Sequence, residues 1–200
     1  MSLLRAALAN AFVRLEPIEE RHREDLRRAG ADPDLWRFAS VNQHNENFDA
    51  WMDQRLGAQP QDLTFVVIDL PTREVVGSSS YLAHSAPNRR IEIGWTWYAK
   101  KAWAGPVNPS CKRLMFAHAF DVLGLNRVEL KLSALNARSW RAVEKLGARF
   151  EGIHRAHMVM PDASLRDTVW FSVLKSEWPG VAARLDARLG AFVSARRAKP

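Results

Sequence analysis

Between Ile91 and Leu132 the hydrophobic period of this chain changes twice, and that change limits its folds more than any other feature. Ile91 to Tyr98 alternates at period two, which predicts a strand with Ile91, Ile93, Trp95 and Trp97 on one side and Glu92, Gly94, Thr96 and Tyr98 on the other. Cys111, Leu114, Met115, Ala119 and Val122 then recur at helical spacing, and Gly124 follows where a left-handed C-terminal cap sits. Val128, Leu130 and Leu132 return to period two. Strand, long helix and strand in succession imply a parallel crossover, because parallel neighbours cannot be joined by a tight turn.

The flanks of this unit read as an antiparallel meander. Phe12 to Leu15 is a first strand ended by Pro17, and Glu19 to Ala29 a charged surface helix. Residues 31–45 look irregular, and Phe48, Trp51, Met52 and Leu56 form one side of a second helix. Thr64–Ile68 is a β-branched and aromatic strand, and Val75 to about Leu82 is the next. Beyond the crossover, Asn136 is placed to cap a helix that runs to Leu146 and ends at Gly147. Two strands follow, near 149–160 and 165–174, with Pro161 and Asp162 in the turn. Ser176 is placed to cap a last helix carrying Trp178, Val181, Leu185, Leu189 and Phe192. The expected fold is α/β (α+β): a mixed, mostly antiparallel sheet of about seven strands with one β-α-β crossover and helices on both faces. With no linker or repeat, residues 1–200 read as a single domain, with a core over about 10–180 and a C-terminal helix over about 176–196.

Eight Trp in 200 residues argue against disorder, since disordered chains are poor in aromatics. The net charge of +7 fits either a solvated basic surface or attraction to a polyanion such as a nucleotide cofactor, RNA or an acidic peptide. One cysteine, Cys111, permits neither an internal disulfide nor a cysteine-based zinc site, so no metal is expected and a reducing cytoplasm is the expected location. The apolar start is broken at Arg5 and is too short for a signal peptide. No run approaches the ~18–20 apolar residues of a membrane span, so no membrane partner is expected.

Two segments carry chemistry. From Ala99 to Ser110 the chain passes from strand to helix through lysines, Gly105 and small polar residues, and helix N-termini offer unpaired N–H groups to phosphate. From Asn136 to Ala148 a capped helix begins Asn-x-x-Ser and ends Glu-Lys-Leu-Gly. Together with Glu92–Trp95, Gly124–Leu130, Glu151-Gly152 and Arg166–Val169, these strings resemble the GNAT acetyltransferase core, in the branch of the ribosomal-protein N-terminal acetyltransferases. The likeness runs from about residue 10 to 180 and is most specific between 90 and 175.

The resemblance implies an enzyme that transfers an acetyl group from acetyl-CoA to a primary amine, on a peptide N-terminus or a small molecule. It implies that the strand at Ile91–Tyr98 splays from the strand at Val128–Leu132, with the pantetheine arm in the gap. Cofactor contacts are then expected from Trp95, Thr96, Trp97, Trp103, Gly105, Val107, Asn108, Ser110, Lys112, Asn136, Arg138, Ser139 and Arg141. Lys100, Lys101 and Arg113 flank the same loop. Trp36, Phe38, Phe48 and Trp51 are candidates for the acceptor side.

Candidate catalytic residues are Glu92, His157 and Asp167 as base or amine anchor, and Ser139 as the acid for the leaving thiolate. Each has a plainer structural reading: Glu92 as a surface carboxylate, His157 as an ordinary strand histidine, Asp167 as a local partner of Arg166, and Ser139 as a first-turn serine. Two positions depart from the family pattern. Val143 stands where many members carry a tyrosine acid, and Pro106 places a residue without an N–H in the phosphate loop. Those departures motivate an alternative, a binding protein that holds acyl-CoA or a peptide without turnover. Nucleic acid is expected only through a ribosome, and the apolar stripe of the last helix fits either a homodimer or docking on its own sheet.

Overall fold

The computed structural model describes residues 5–39, 47–57 and 62–197. Its strands are β1 (Leu8–Ala9), β2 (Val13–Pro17), β3 (Leu63–Asp69), β4 (Glu74–Ser85), β5 (Arg90–Tyr98), β6 (Arg127–Ser133), β7 (Arg149–Val159) and β8 (Leu165–Leu174). Its helices are α1 (Arg23–Ala29), α2 (Asn47–Leu56), α3 (Val107–Ala117), α4 (Ala137–Leu146) and α5 (Trp178–Arg197). The eight strands form one sheet in the order β1-β2-β3-β4-β5-β6-β8-β7. Every neighbouring pair is antiparallel except β5 and β6, the parallel pair across the α3 crossover. The extra strand beyond the expected seven is β1, too short to leave a periodic signal. Of the stretch expected to be irregular, residues 40–45 lie outside the described residues, and Pro33–Trp36 forms one 3₁₀ turn.

The sheet has an apolar cluster on each face, as expected for helices on both sides. On one, Phe116, Phe120 and Trp178 stack between α3 and α5, over Ile91, Ile93 and Val128. On the other, Leu26, Trp51 and Met52 from α1 and α2 meet Trp36 and Trp97. Trp178, Val181, Leu185 and Leu189 are all buried in the first cluster. The apolar stripe of α5 therefore lies inside this chain's own fold.

Three local expectations are revised. The helix expected near Ser110 begins at Val107. Prolines fit a first turn, whose N–H groups have no helical partner anyway, so Pro109 does not delay it. The helix then opens into a π turn at His118–Val122 before Gly124, which takes the expected left-handed conformation at φ 63°. At the C-terminus, α5 starts at Trp178, two residues past the Ser176 expected to cap it.

The third revision matters for the site. Alternation along β5 holds only to Gly94. Against β4, Ser80 faces Gly94 but Ser78 faces Trp97, so β5 has one extra residue between them. This bulge, with Trp95 at φ 45°, flips everything that follows to the other face. Trp97 accordingly packs with Trp36 and Trp51, while Tyr98 joins Ile91 and Ile93.

Candidate active site

The parallel ladder between β5 and β6 is short. It pairs Arg90 with Arg127, Ile91 with Val128 and Glu92 with Glu129, and no register continues beyond. The β5 bulge lies immediately past this point, so the strands part as the sequence resemblance implied. Thr96 Oγ1 lines the gap, where it accepts from Lys112 Nζ at 2.9 Å and shares a hydrogen bond with Ser79 Oγ at 2.6 Å. Two cavities meet there, both lined by Gly94 to Tyr98, Lys131 and Ser139.

The first cavity, of about 570 Å³, lies towards α3, α4 and α5. Its described lining carries six basic side chains, Lys112, Lys131, Arg138, Arg141, Lys145 and Arg188, and no Asp or Glu. Helical spacing explains three of them: Arg138, Arg141 and Lys145 fall on one stripe of α4. The Asn136 carboxamide fixes that helix start by accepting the Ser139 N–H at 3.0 Å, and Gly147 ends it at φ 91°. The Arg138 guanidinium stacks 3.5 Å over the Trp103 ring, tying α4 to the loop after β5, and burial lowers its pKa. Burial likewise pushes the Lys112 ammonium down to about 8.

Ten of the residues expected to hold the cofactor line this cavity: Trp95, Thr96, Trp97, Trp103, Gly105, Asn108, Lys112, Arg138, Ser139 and Arg141. Others lie elsewhere. The Val107 side chain and the Ser110 hydroxyl are buried, so only their backbone could face a ligand. Asn136 lines the second cavity. Lys112 is 5% exposed and reaches inward to the bulge, instead of flanking the loop. Lys100 pairs with Asp32 and Asp34, Lys101 with Glu74, and Arg113 with Asp186. Pro106 sits at the α3 N-cap with φ −74°, close to the value its ring imposes, and its carbonyl accepts the Ser110 N–H. Pro106 itself is therefore relaxed, while Ala104 before it takes φ 58°. Lys145 and Arg188 were not anticipated: the first repeats at i+4 from Arg141, which was a usable signal, whereas the second arrives from α5 with none.

The second cavity, of about 540 Å³, opens towards α2 and the β7–β8 hairpin. Trp36, Phe38 and Trp51 line it as expected, while Phe48 is core. Glu92 is 8% exposed, and its Oε2 meets Lys131 Nζ at 2.6 Å. Its other carboxylate oxygen lies against Gly94, where a Cβ would come within 2.8 Å of it. A side chain here would push aside the Glu92 carboxylate and the end of Leu82. Ser139, whose N–H is used by the cap, lines both cavities. His157 is exposed at the rim, its ring grouped with His154 and Trp170.

Asp167 is not brought into either cavity. Its carboxylate accepts the Ala156 N–H at 2.7 Å, holding a turn in β7 where Ala156 has φ 49°. Of the two tyrosines, Tyr81 is buried and its hydroxyl donates to the Met115 carbonyl, whereas Tyr98 lines both cavities and burial holds its phenol well above the usual pKa. Sequence reasoning gave no site role to Arg55 or Arg166, which line the second cavity, Arg55 buried and Arg166 partly so. Arg166 stands in the Arg166–Val169 string, but no short-range pattern marks Arg55.

Comparison with known proteins bears on this geometry. The acetyltransferase (GNAT) domain profile matches residues 13–149. The presumed ribosomal N-acetyltransferase YdaF of Bacillus subtilis (strain 168) is 35% identical over 94 residues, 46% of this chain. The chain spans only about half, 50%, of that relative's length. A crystal structure of a GCN5-related N-acetyltransferase from Brucella melitensis superposes with TM-score 0.88 at 32% identity, over 94% of this chain and 87% of that one. A presumed acetyltransferase from T. thermophilus gives TM-score 0.86 at 38% identity, over 94% of this chain and all of the other, 100%. With its splayed parallel pair and its bulged strand, the chain belongs to the GNAT acetyltransferase family.

Proposed function

We propose that this protein transfers the acetyl group of acetyl-CoA to a primary amine. One observation carries the reading: a cavity with six cations and no acid in its described lining opens, at a strand splay, into a second cavity that holds a buried carboxylate. The cationic lobe matches a ligand with several phosphates, because charge-assisted bonds to phosphate are strong. Lys112, Arg138, Arg141, Lys145 and Arg188 would hold the phosphates and the arm, and the α3 N-terminus would add the N–H groups of Val107 and Asn108. Acetyl-CoA, when bound, supplies a thioester carbonyl open to attack.

The chain's own groups then divide the work. Backbone N–H groups of β5 released from the β6 ladder would steady the carbonyl oxygen as charge develops. Glu92 would accept the amine proton, directly or through water, and Lys131 would hold its carboxylate in place. Ser139, which borders both cavities, would return a proton to the thiolate. His157 stands at the acceptor rim as a second proton carrier. A peptide N-terminus and a small amine both fit a pocket open on one side.

Titration calorimetry with acetyl-CoA and with free CoA tests the first half. Binding near 1:1 is expected, followed by amine-dependent thiol release. Binding without thiol release for any amine would favour a holding protein over an enzyme. No binding at millimolar ligand would overturn the cofactor assignment.

A further inference from the structure

The acceptor cavity holds a surplus of hydrogen-bond donors. Buried donors on Trp51, Arg55, Trp97, Arg166 and Thr168 all lack a hydrogen-bond partner among the described residues, and all five residues line it. The indole and guanidinium groups can only donate. Arg55 is the sharpest case. It is 5% exposed, its Nε and Nη1 are unpartnered, and its guanidinium lies 3.8 Å over the Trp95 ring at the bulge. A buried cation with unmet N–H groups is costly unless an acceptor arrives.

The charges around the cavity are equally one-sided. Its described lining has four basic side chains, Arg55, Lys131, Arg138 and Arg166, against two acidic ones, Asp62 and Glu92. Glu92 is engaged by Lys131, and Asp62 accepts the Ala83 N–H at 2.9 Å. Arg138 is stacked on Trp103. Asp62 acts on Arg55 and Glu92 on Arg166 through space, but N–H groups of both guanidiniums stay without an acceptor among the described residues.

Building on the amine-acetylation reading, we infer that the acceptor is an amine that also carries an oxyanion, received by Arg55 and Arg166 while its amino group faces Glu92. Trp36, Trp51 and Trp97 add flat apolar walls to the same cavity. A polyamine acceptor would bring a second cation into a lobe that already has a cationic excess. A carboxylate and a phosphate-like group satisfy the same donors.

Matched probes decide it. Wild-type protein with acetyl-CoA is offered para-(aminomethyl)benzoate, its phosphonate analogue, the neutral para-(aminomethyl)benzamide and diaminobutane, with thiol release as the readout. At least one of the anionic probes should exceed the benzamide about tenfold or more in kcat/KM, and the benzamide should exceed diaminobutane. The ranking of benzoate against phosphonate separates the two oxyanion sources. In Arg166→Gln, and in Arg55→Gln if it folds, the anion preference should shrink to about threefold or less, mainly through KM. Equal or better use of the benzamide by wild-type protein overturns the inference. If no probe is acetylated, the transfer reading fails for this panel, and calorimetry with CoA present still decides the pocket. Anion binding weakened by Arg166→Gln supports it, and benzamide binding as well as benzoate overturns it.

Discussion

The two lobes of the groove are both basic, but they are built in opposite ways. In the cofactor lobe, cations come from a stripe along α4 and from its neighbours α3 and α5. They are several and redundant, and one more, Lys131 on β6, is shared with Glu92 of the neighbouring lobe. In the acceptor lobe, charged groups of both signs converge singly from α2, Asp62, β5, β6, α4 and β8, and most are buried, paired or short of partners. Redundant charge suits a ligand that every turnover shares, since attraction to several phosphates tolerates the loss of one contact. Sparse, desolvated groups suit selection and chemistry, where one missing partner is felt in full. Substitutions in the two lobes should therefore fail differently.

The largest contrast is expected at Glu92. Glu92→Gln keeps the size and a hydrogen-bond acceptor for Lys131 but cannot take a proton. Turnover should fall on the order of 10²–10⁴-fold, the usual range for a lost general base, with acetyl-CoA affinity nearly unchanged. Single-turnover acetylation and calorimetry on the same preparation separate the two quantities. Unchanged turnover across pH would remove Glu92 from the chemistry and leave His157 as the carboxylate's replacement.

Lys112 should show the reverse pattern, with stability moving more than chemistry. Its ordinary pKa of 10.5 falls to about 8 in the folded chain, because burial penalises the ammonium. Between those values the unfolded state holds more protons than the folded state, so stability rises with pH through that window. The full rise is roughly 3 kcal/mol, present above the window and absent below it. Urea unfolding of wild type and Lys112→Met from pH 7 to 9.5 should show the rise only in wild type. Identical slopes would mean that the ammonium is solvated and is not held against Thr96.

The same contrast explains what could be read in advance. The cofactor lobe is largely local in sequence: Asn136 caps, Gly147 terminates, and Arg138 and Arg141 fall on one helical stripe, so spacing alone places them. Its misreadings were also local. A bulge at Trp95 turned Trp97 to the opposite face, and Gly94 inside a strand was the signal for it. Lys112 was expected at the cofactor, but sequence does not tell a long helical side chain whether to snorkel outward or reach under a bulge. The acceptor lobe joins Trp36, Arg55, Glu92, His157 and Arg166, which are scattered over more than half of the chain. Only the sheet order, with β8 inserted between β6 and β7, brings Arg166 beside Glu92. Nothing at Arg55 distinguishes it from the many arginines that pair on the surface.

Asp167 gives the smallest effect and the cleanest control. It neighbours Arg166 in sequence but serves the backbone, accepting the Ala156 N–H where β7 turns through a positive φ. Asp167→Ala should cost about 1 kcal/mol of stability, the worth of one hydrogen bond. It should leave acetyl-CoA affinity unchanged and turnover within about twofold, because its carboxylate reaches neither lobe. Thermal melts and steady-state kinetics at saturating amine check both halves. A tenfold loss of turnover with no loss of stability would instead put a third carboxylate into the acceptor lobe, beside Asp62 and Glu92. The excess of cations there would shrink, and with it the reason for this lobe to prefer an anionic amine.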